Sequence, residues 1–257
     1  MIKALVFDIG GTFHTSSFDP LSTALYQSLM LQCLEENGIR IEDGAKNLFE
    51  RIEEGAAEYK KYAEQNLIEL AGDRIWKEFM LKAYDVSDRE LWGKGEKLSY
   101  IFDRYRKKLI KREGLGEVLE ELKRRGYRLG VISNIMSLNF VPQILREYGI
   151  DHLFESIVLS SVCGIRKPNR KIFDLALKEL EIGAEEACYI GDTISRDLLG
   201  ARNAGWKTMI KIGNPAVSRK DREYESCNLR EDFKIKELKE IFLALDFLKG
   251  EDKKNRG

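Results

Sequence analysis

Residues 115–134 read LGEVLEELKRRGYRLGVISN. Leu115, Val118, Leu119 and Leu122 recur at i, i+3, i+4 and i+7, the stripe of an amphipathic helix, and Gly126 stops it. Tyr127–Ser133 then reads as a buried strand, which ends on the polar pair Ser133 and Asn134. A helix feeding such a strand is half of a parallel α/β unit, because parallel strands need a crossover and bury both faces.

Towards the C-terminus the alternation continues. Val141, Ile144, Leu145 and Tyr148 predict a helix, Ser156–Ser160 a strand, and Ile172, Ala176, Leu177 and Leu180 a helix. Ala187–Ile190 and Lys207–Ile210 read as strands around a helix over about 195–204, and Leu238, Ile241, Leu245 and Leu248 mark a last helix. Towards the N-terminus, residues 2–7 read as one more buried strand, broken by Gly10 and Gly11. The block between, from about Pro20 to Lys111, is different. Leu21, Ala24, Leu25 and Leu29 fit a helical stripe, charged helical stretches follow, and no strand is evident. The expected fold is therefore α/β: a Rossmann-like parallel-sheet core over 1–17 and 112–250, with an all-helical cap over 18–111 inserted after the first strand, and a tail over 251–257. The charged run Ser218–Glu225 and the tail read as solvated.

Composition narrows the function. Lysine plus arginine and aspartate plus glutamate each number 43, so a formal net charge of zero gives no global attraction to nucleic acid or an acidic membrane. A hydrophobic content of 43% argues against disorder. Asp8 interrupts the N-terminal apolar run too early for a secretory signal, and the longest apolar run, Ile241–Leu245, is far too short to span a bilayer. Cytoplasmic residence and a small-molecule substrate are the expectation. Cys33, Cys163, Cys188 and Cys227 form no CxxC pair, which points to buried free thiols.

Open parallel sheets bind ligands at the carboxyl ends of their strands. Polar residues gather at these ends: Asp8-Ile-Gly-Gly-Thr12, then Ser133-Asn134, then Gly-Ile-Arg-Lys167-Pro, then Gly-Asp192-Thr-Ile-Ser-Arg-Asp197. Singly, each is an ordinary cap, turn or helix boundary. Four in order along one edge mark a site.

In this order the motifs resemble those of the haloacid dehalogenase superfamily, over residues 1–17 and 112–210, and the helical block resembles that family's cap. The resemblance implies a hydrolase in which Asp8 is the nucleophile and forms a covalent aspartyl intermediate. It implies that Lys167 and Ser133 join Asp8 in catalysis, and that Gly11, Thr12, Ser133, Asn134 and Lys167 contact the transferred group. It implies Mg²⁺ held by Asp8, the carbonyl of Gly10 and Asp192, with Asp197 a further ligand or a residue that orients Lys167.

One position departs from the pattern. Phosphatases of the family carry an acid/base aspartate two residues after the nucleophile, and here Gly10 stands there. A general acid contributes about 10²–10⁴-fold. The expected activity is a Mg²⁺-dependent phosphatase acting on a small phosphorylated metabolite. The alternatives are a 2-haloacid dehalogenase and a phosphate-ligand-binding pseudoenzyme. Halide leaves without a proton, and Arg40 is a candidate halide-side cation, but Asp192 counts against dehalogenation. A phosphonate hydrolase would need a cap lysine, for which Lys46 and Lys60 are available. His14 is the nearest titratable group that could substitute for the acid, although a structural histidine is the preferred reading. Trp76, Phe79, Tyr84, Trp92 and Tyr100 are expected to be mostly cap core.

Overall fold

The computed structural model describes the chain except residues 43, 218–220, 222–223, 225–228 and 255–257. Its strands are β1 (Ala4–Phe7), β2 (His14–Ser17), β3 (Lys108–Lys111), β4 (Arg128–Ser133), β5 (Ser156–Leu159), β6 (Ala187–Gly191), β7 (Thr208–Ile212) and β8 (Phe233–Ile235). The longer helices are α1 (Pro20–Glu36), α2 (Ala45–Asn66), α3 (Gly95–Tyr105), α4 (Leu115–Arg124), α5 (Phe140–Glu147), α6 (Arg170–Glu179) and α7 (Ile241–Lys254).

Six strands form one sheet in the order β5-β4-β1-β6-β7-β8, and every pairing in it is parallel. Strand side chains alternate between faces, and β1 shows the consequence. Leu5 and Phe7 join Leu119, Val141 and Ile241 in one apolar layer, while Ala4 and Val6 join Ile172, Phe173 and Trp206 in the other. Burial on both faces is why these strands read as nearly continuous apolar runs.

Between β1 and β4 lies the helical cap. Its apolar cluster is separate from the sheet's two layers and includes Tyr26, Met30, Leu48, Ile52, Trp76 and Phe102. The structure corrects the expectation of an all-helical block over 18–111. β3 lies inside that range and pairs antiparallel with β2, as in Thr15 opposite Ile110, so a two-stranded ribbon joins cap to core. This ribbon escaped the sequence reading because Lys-Leu-Ile-Lys is too short and too exposed to carry an apolar period.

Three further differences appear at the C-terminal side. Phe233–Ile235 adds a sixth strand that was not anticipated, paired with β7. The tail is shorter than expected, since α7 continues to Lys254. The run Ser218–Glu225 is not simply solvated. Most of it lies outside the described residues, but Asp221 is buried, accepts the Ile194 N–H at 2.8 Å and pairs with Lys211. Cys33 and Cys188 are buried free thiols and Cys163 is half-buried, whereas Cys227 lies outside the described residues. No helix among the described residues is long and apolar enough to cross a membrane.

Candidate active site

β1, β4 and β6 end side by side and bring Asp8, Ser133 and Asp192 to one edge of the sheet. Asp8 follows β1 directly, and its N–H donates to the Ile190 carbonyl at 2.9 Å, so the neighbouring strand holds it. Lys167 reaches the same point from the loop before α6, through a cis Lys167–Pro168 peptide. Its Nζ donates to Asp8 Oδ1 at 2.6 Å, to Asp197 Oδ1 at 2.6 Å and to the Ile132 carbonyl at 3.1 Å, and it lies 2.9 Å from the Tyr189 hydroxyl.

Burial by itself would pull the Lys167 ammonium down, but Asp197 and Asp8 outweigh it and push it above its ordinary range. Burial likewise works against the Asp197 carboxylate, but Lys167, Arg196 and the Thr193 hydroxyl hold it below the usual carboxylate range. Asp8 is pushed up, mainly by burial, with Lys167 opposing. Burial first, then Asp8 and Asp197, raise Asp192 to about 7. Three carboxylates share this buried cluster with the two cations of Lys167 and Arg196.

The arrangement of their oxygens suits a hard divalent cation. Asp8, Asp192 and Asp197 each place a carboxylate oxygen within 4.8 Å of the others. Asn214 donates to Asp192 Oδ2 at 2.7 Å, while Asp192 Oδ1 is buried without a hydrogen-bond partner among the described residues. Buried carboxylate oxygens are rarely left so, and magnesium takes such oxygen ligands. Asp197 differs. Lys167 and Tyr189 occupy its Oδ1, and the Thr193 N–H and hydroxyl occupy its Oδ2 at 3.0 and 2.5 Å.

Two glycines make the packing possible. Gly11 has φ +84°, and a Cβ there would overlap the Asp192 carboxylate. A Cβ on Gly191 would lie 2.6 Å from Asp197 Cγ. Gly10 is the opposite case: it is exposed, and a Cβ would meet nothing within 4 Å.

A cavity of about 440 Å³ opens between this edge and the cap. Asp8, Gly10, Gly11, Ser133, Lys167 and Asp192 line its floor, and Phe102 and Asp103 come from the cap. Asn134 also lines it, but its amide is engaged: Nδ2 donates to the Lys167 carbonyl at 3.0 Å and Oδ1 accepts the Lys167 N–H at 2.8 Å. Thr12 is not brought in; it is fully buried, its hydroxyl has no hydrogen-bond partner among the described residues, and it lies outside the lining. His14 lines the cavity with Nδ1 3.2 Å from the Tyr148 hydroxyl, and burial, aided by Arg104, lowers it to about 4.

Of the aromatic residues singled out in the cap, none lines the cavity. Trp76 and Phe79 are cap core, Tyr100 packs against the sheet's apolar layer, and Trp92 is exposed. Arg40 is exposed and outside the lining, as is Lys46, whereas Lys60 is at the rim.

Sequence reading missed several supporting groups. Tyr189 had a readable signal, a hydroxyl within an otherwise apolar strand. Asn214 and Arg112 had none. Arg112 donates to the carbonyls of Gly11 and Gly213 at 2.7 Å and of Lys236 at 3.2 Å, tying together loops that are more than 100 residues apart in the chain. Arg196 lines the cavity beside the three carboxylates.

The chain is similar to known proteins. A family model described as haloacid dehalogenase-like hydrolase matches residues 2–205. The chain is 31% identical over 177 residues to the glyceraldehyde 3-phosphate phosphatase of Pyrococcus furiosus, covering 68% of this chain and 71% of that protein. It is 27% identical over 251 residues to a protein of the same name from Methanothermobacter thermautotrophicus, covering 94% of this chain and 100% of that one. The structure of 2-haloacid dehalogenase from Pseudomonas syringae pv. Tomato superposes with a TM-score of 0.66 at 19% identity, over 96% of this chain and 100% of that one, which is a likeness of fold. With its motif residues gathered on one sheet edge beneath an inserted helical cap, the chain belongs to the haloacid dehalogenase-like hydrolases.

Proposed function

We propose that this hydrolase is a Mg²⁺-dependent phosphatase that transfers the phosphoryl group of a small metabolite to Asp8 and then to water. The observation that carries the reading is the buried cluster in which Lys167 joins Asp8 to Asp197 beside the unpartnered oxygen of Asp192. The relatives named as phosphatases of glyceraldehyde 3-phosphate support the substrate class.

Asp8 Oδ1 is held by Lys167, which leaves Oδ2 as the attacking oxygen. Lys167 neutralises the phosphoryl oxygens, and Asp197, anchored by Thr193, keeps Lys167 aimed at Asp8. Ser133 donates its hydroxyl to the phosphoryl group from the end of β4, while Gly11 lets the chain turn tightly beside Asp192. Asn134 positions Lys167 by its two backbone hydrogen bonds. Magnesium, held by Asp8, Asp192 and the Gly10 carbonyl, would supply the remaining charge neutralisation. The cap limits the entry of water during phosphoryl transfer.

A panel of phosphate monoesters assayed with Mg²⁺ or EDTA tests this. EDTA and Asp8→Asn should each abolish turnover, with Asp8→Asn still melting cooperatively. Metal-independent chloride release from 2-chloropropionate would instead establish a dehalogenase. Phosphate binding with no turnover of any ester would establish a ligand-binding pseudoenzyme.

A further inference from the structure

A phosphatase that acts on alkyl esters needs a proton for the departing alkoxide, and Gly10 has no side chain to supply it. The cavity offers few alternatives. Asp8, Asp192 and Lys167 belong to the cluster already described. His14 is neutral near pH 7, since burial lowers it to about 4, and Nδ1 already faces Tyr148. Glu64 is exposed and pairs with Lys60. Arg106 and Arg196 are permanent cations. Lys60 and Lys107 are exposed. One carboxyl group is left.

We propose that Asp103, on the last turn of α3, is the general acid and base that the cap supplies in place of the aspartate absent at position 10. The proposal rests on the phosphatase reading. Asp103 is half-buried in the cavity wall. Its Oδ2 accepts the Ser137 N–H at 2.9 Å, and among the described residues its Oδ1 has no hydrogen bond. One oxygen is therefore fixed by the loop that follows Ser133, and the residue lines the same cavity as Asp8 and Gly10. The space where a Gly10 side chain would stand is open, so nothing at that position occupies the cavity that Asp103 lines.

The surroundings of Asp103 suit the role. Burial raises its carboxyl to about 7. The Ser137 N–H from the core loop and Arg106 beyond the helix end oppose the rise, whereas Glu69 from the cap loop and Glu96 from its own helix add to it. In the first step Asp8 Oδ2 bonds to phosphorus, the bond from phosphorus to the ester oxygen breaks, and the Asp103 proton passes to that oxygen. In the second, Asp103 takes a proton from water as the water oxygen attacks phosphorus, which releases phosphate and frees the Asp8 carboxylate.

Glycerol 1-phosphate and p-nitrophenyl phosphate separate the possibilities, because p-nitrophenolate leaves without a proton. Asp103→Asn keeps an oxygen for the Ser137 N–H. It should lower kcat for the alkyl ester about 100-fold or more and that for the aryl ester at least about tenfold less. The limb of the alkyl-ester pH profile near 7 should vanish. Adding Gly10→Asp to Asp103→Asn should restore alkyl-ester turnover. An equal loss on both esters would show a structural role, and no loss on the alkyl ester would show that the proton comes from elsewhere; either overturns the assignment. So does a wild-type chain that hydrolyses only the aryl ester. Absence of any Asp8-dependent turnover of p-nitrophenyl phosphate would overturn the phosphatase reading itself, and Asp103 with it.

Discussion

Position 10 shows what a missing side chain does. Gly10 lies one residue from the sharp turn at Gly11, and space is open where its Cβ would be. Gly10→Asp should therefore fold without a clash and, in the Asp103→Asn background, raise kcat on alkyl phosphates about tenfold or more, with a smaller gain on aryl phosphates. Steady-state kinetics on the two ester classes checks this, and an unchanged alkyl-ester rate in a folded variant would contradict it. Asp8, Ser133, Lys167 and Asp192 were all legible in the chain, because strand ends in a parallel sheet have only one edge to converge upon. The engagement of Asn134 with Lys167, the isolation of Thr12 and the role of Asn214 were not. Each depends on which way a side chain points, and strand and turn patterns do not carry that information.

At the scale of elements, the β2–β3 ribbon is where cap meets core, and His14 begins it. The imidazole packs edge-on against Phe140, with ring centroids 6.2 Å apart, and against Tyr148 at 6.1 Å. Because the fold lowers His14 from 6.5 to about 4, the unfolded chain binds a proton in this window and the folded chain does not. The contribution is fully present above pH 6.5 and is lost as pH falls towards 4, at most about 3 kcal/mol. Thermal melts should show the fall, and His14→Gln should flatten that part of the profile while lowering Tm at neutral pH. The strands and helices of the core were legible because their apolar periods run long. β3 and β8 were not, since these partly exposed strands contain lysine, carry no continuous apolar run and are held by their pairing partners.

At the scale of the molecule, side-chain contacts also fasten the cap to the core on either side of the site. Residues 67–69 and 164–166 meet in a short antiparallel bridge, where Glu69 receives hydrogen bonds from Arg166, Tyr59 and, at 2.6 Å, Ser160. On the other side, Glu96 accepts from the Ser137 hydroxyl and the Leu138 N–H at 2.8 Å each, ahead of α5. The first fastening is buried, with the Glu69 side chain 0% exposed and that of Arg166 11%. Removing one partner of such a pair leaves a buried charge, costing about 3–5 kcal/mol. Glu69→Ala should therefore lower Tm and raise KM, as the cap loosens over Lys167. Calorimetry with substrate titration would detect both, and an unchanged KM would mean that this contact does not hold the cap closed. The alternation of helix and strand in a parallel core, the presence of a helical cap and the identity of the charged motif residues were written in the chain, because apolar period and turn chemistry are local. Folding alone decided which carboxylate oxygen stays unpartnered, that Asp103 from the cap lines the same cavity as Gly10, and that Glu69 meets Arg166. Those outcomes depend on contacts between residues 97 or more apart in the chain for Glu69 and Arg166, and on a burial that no local pattern encodes.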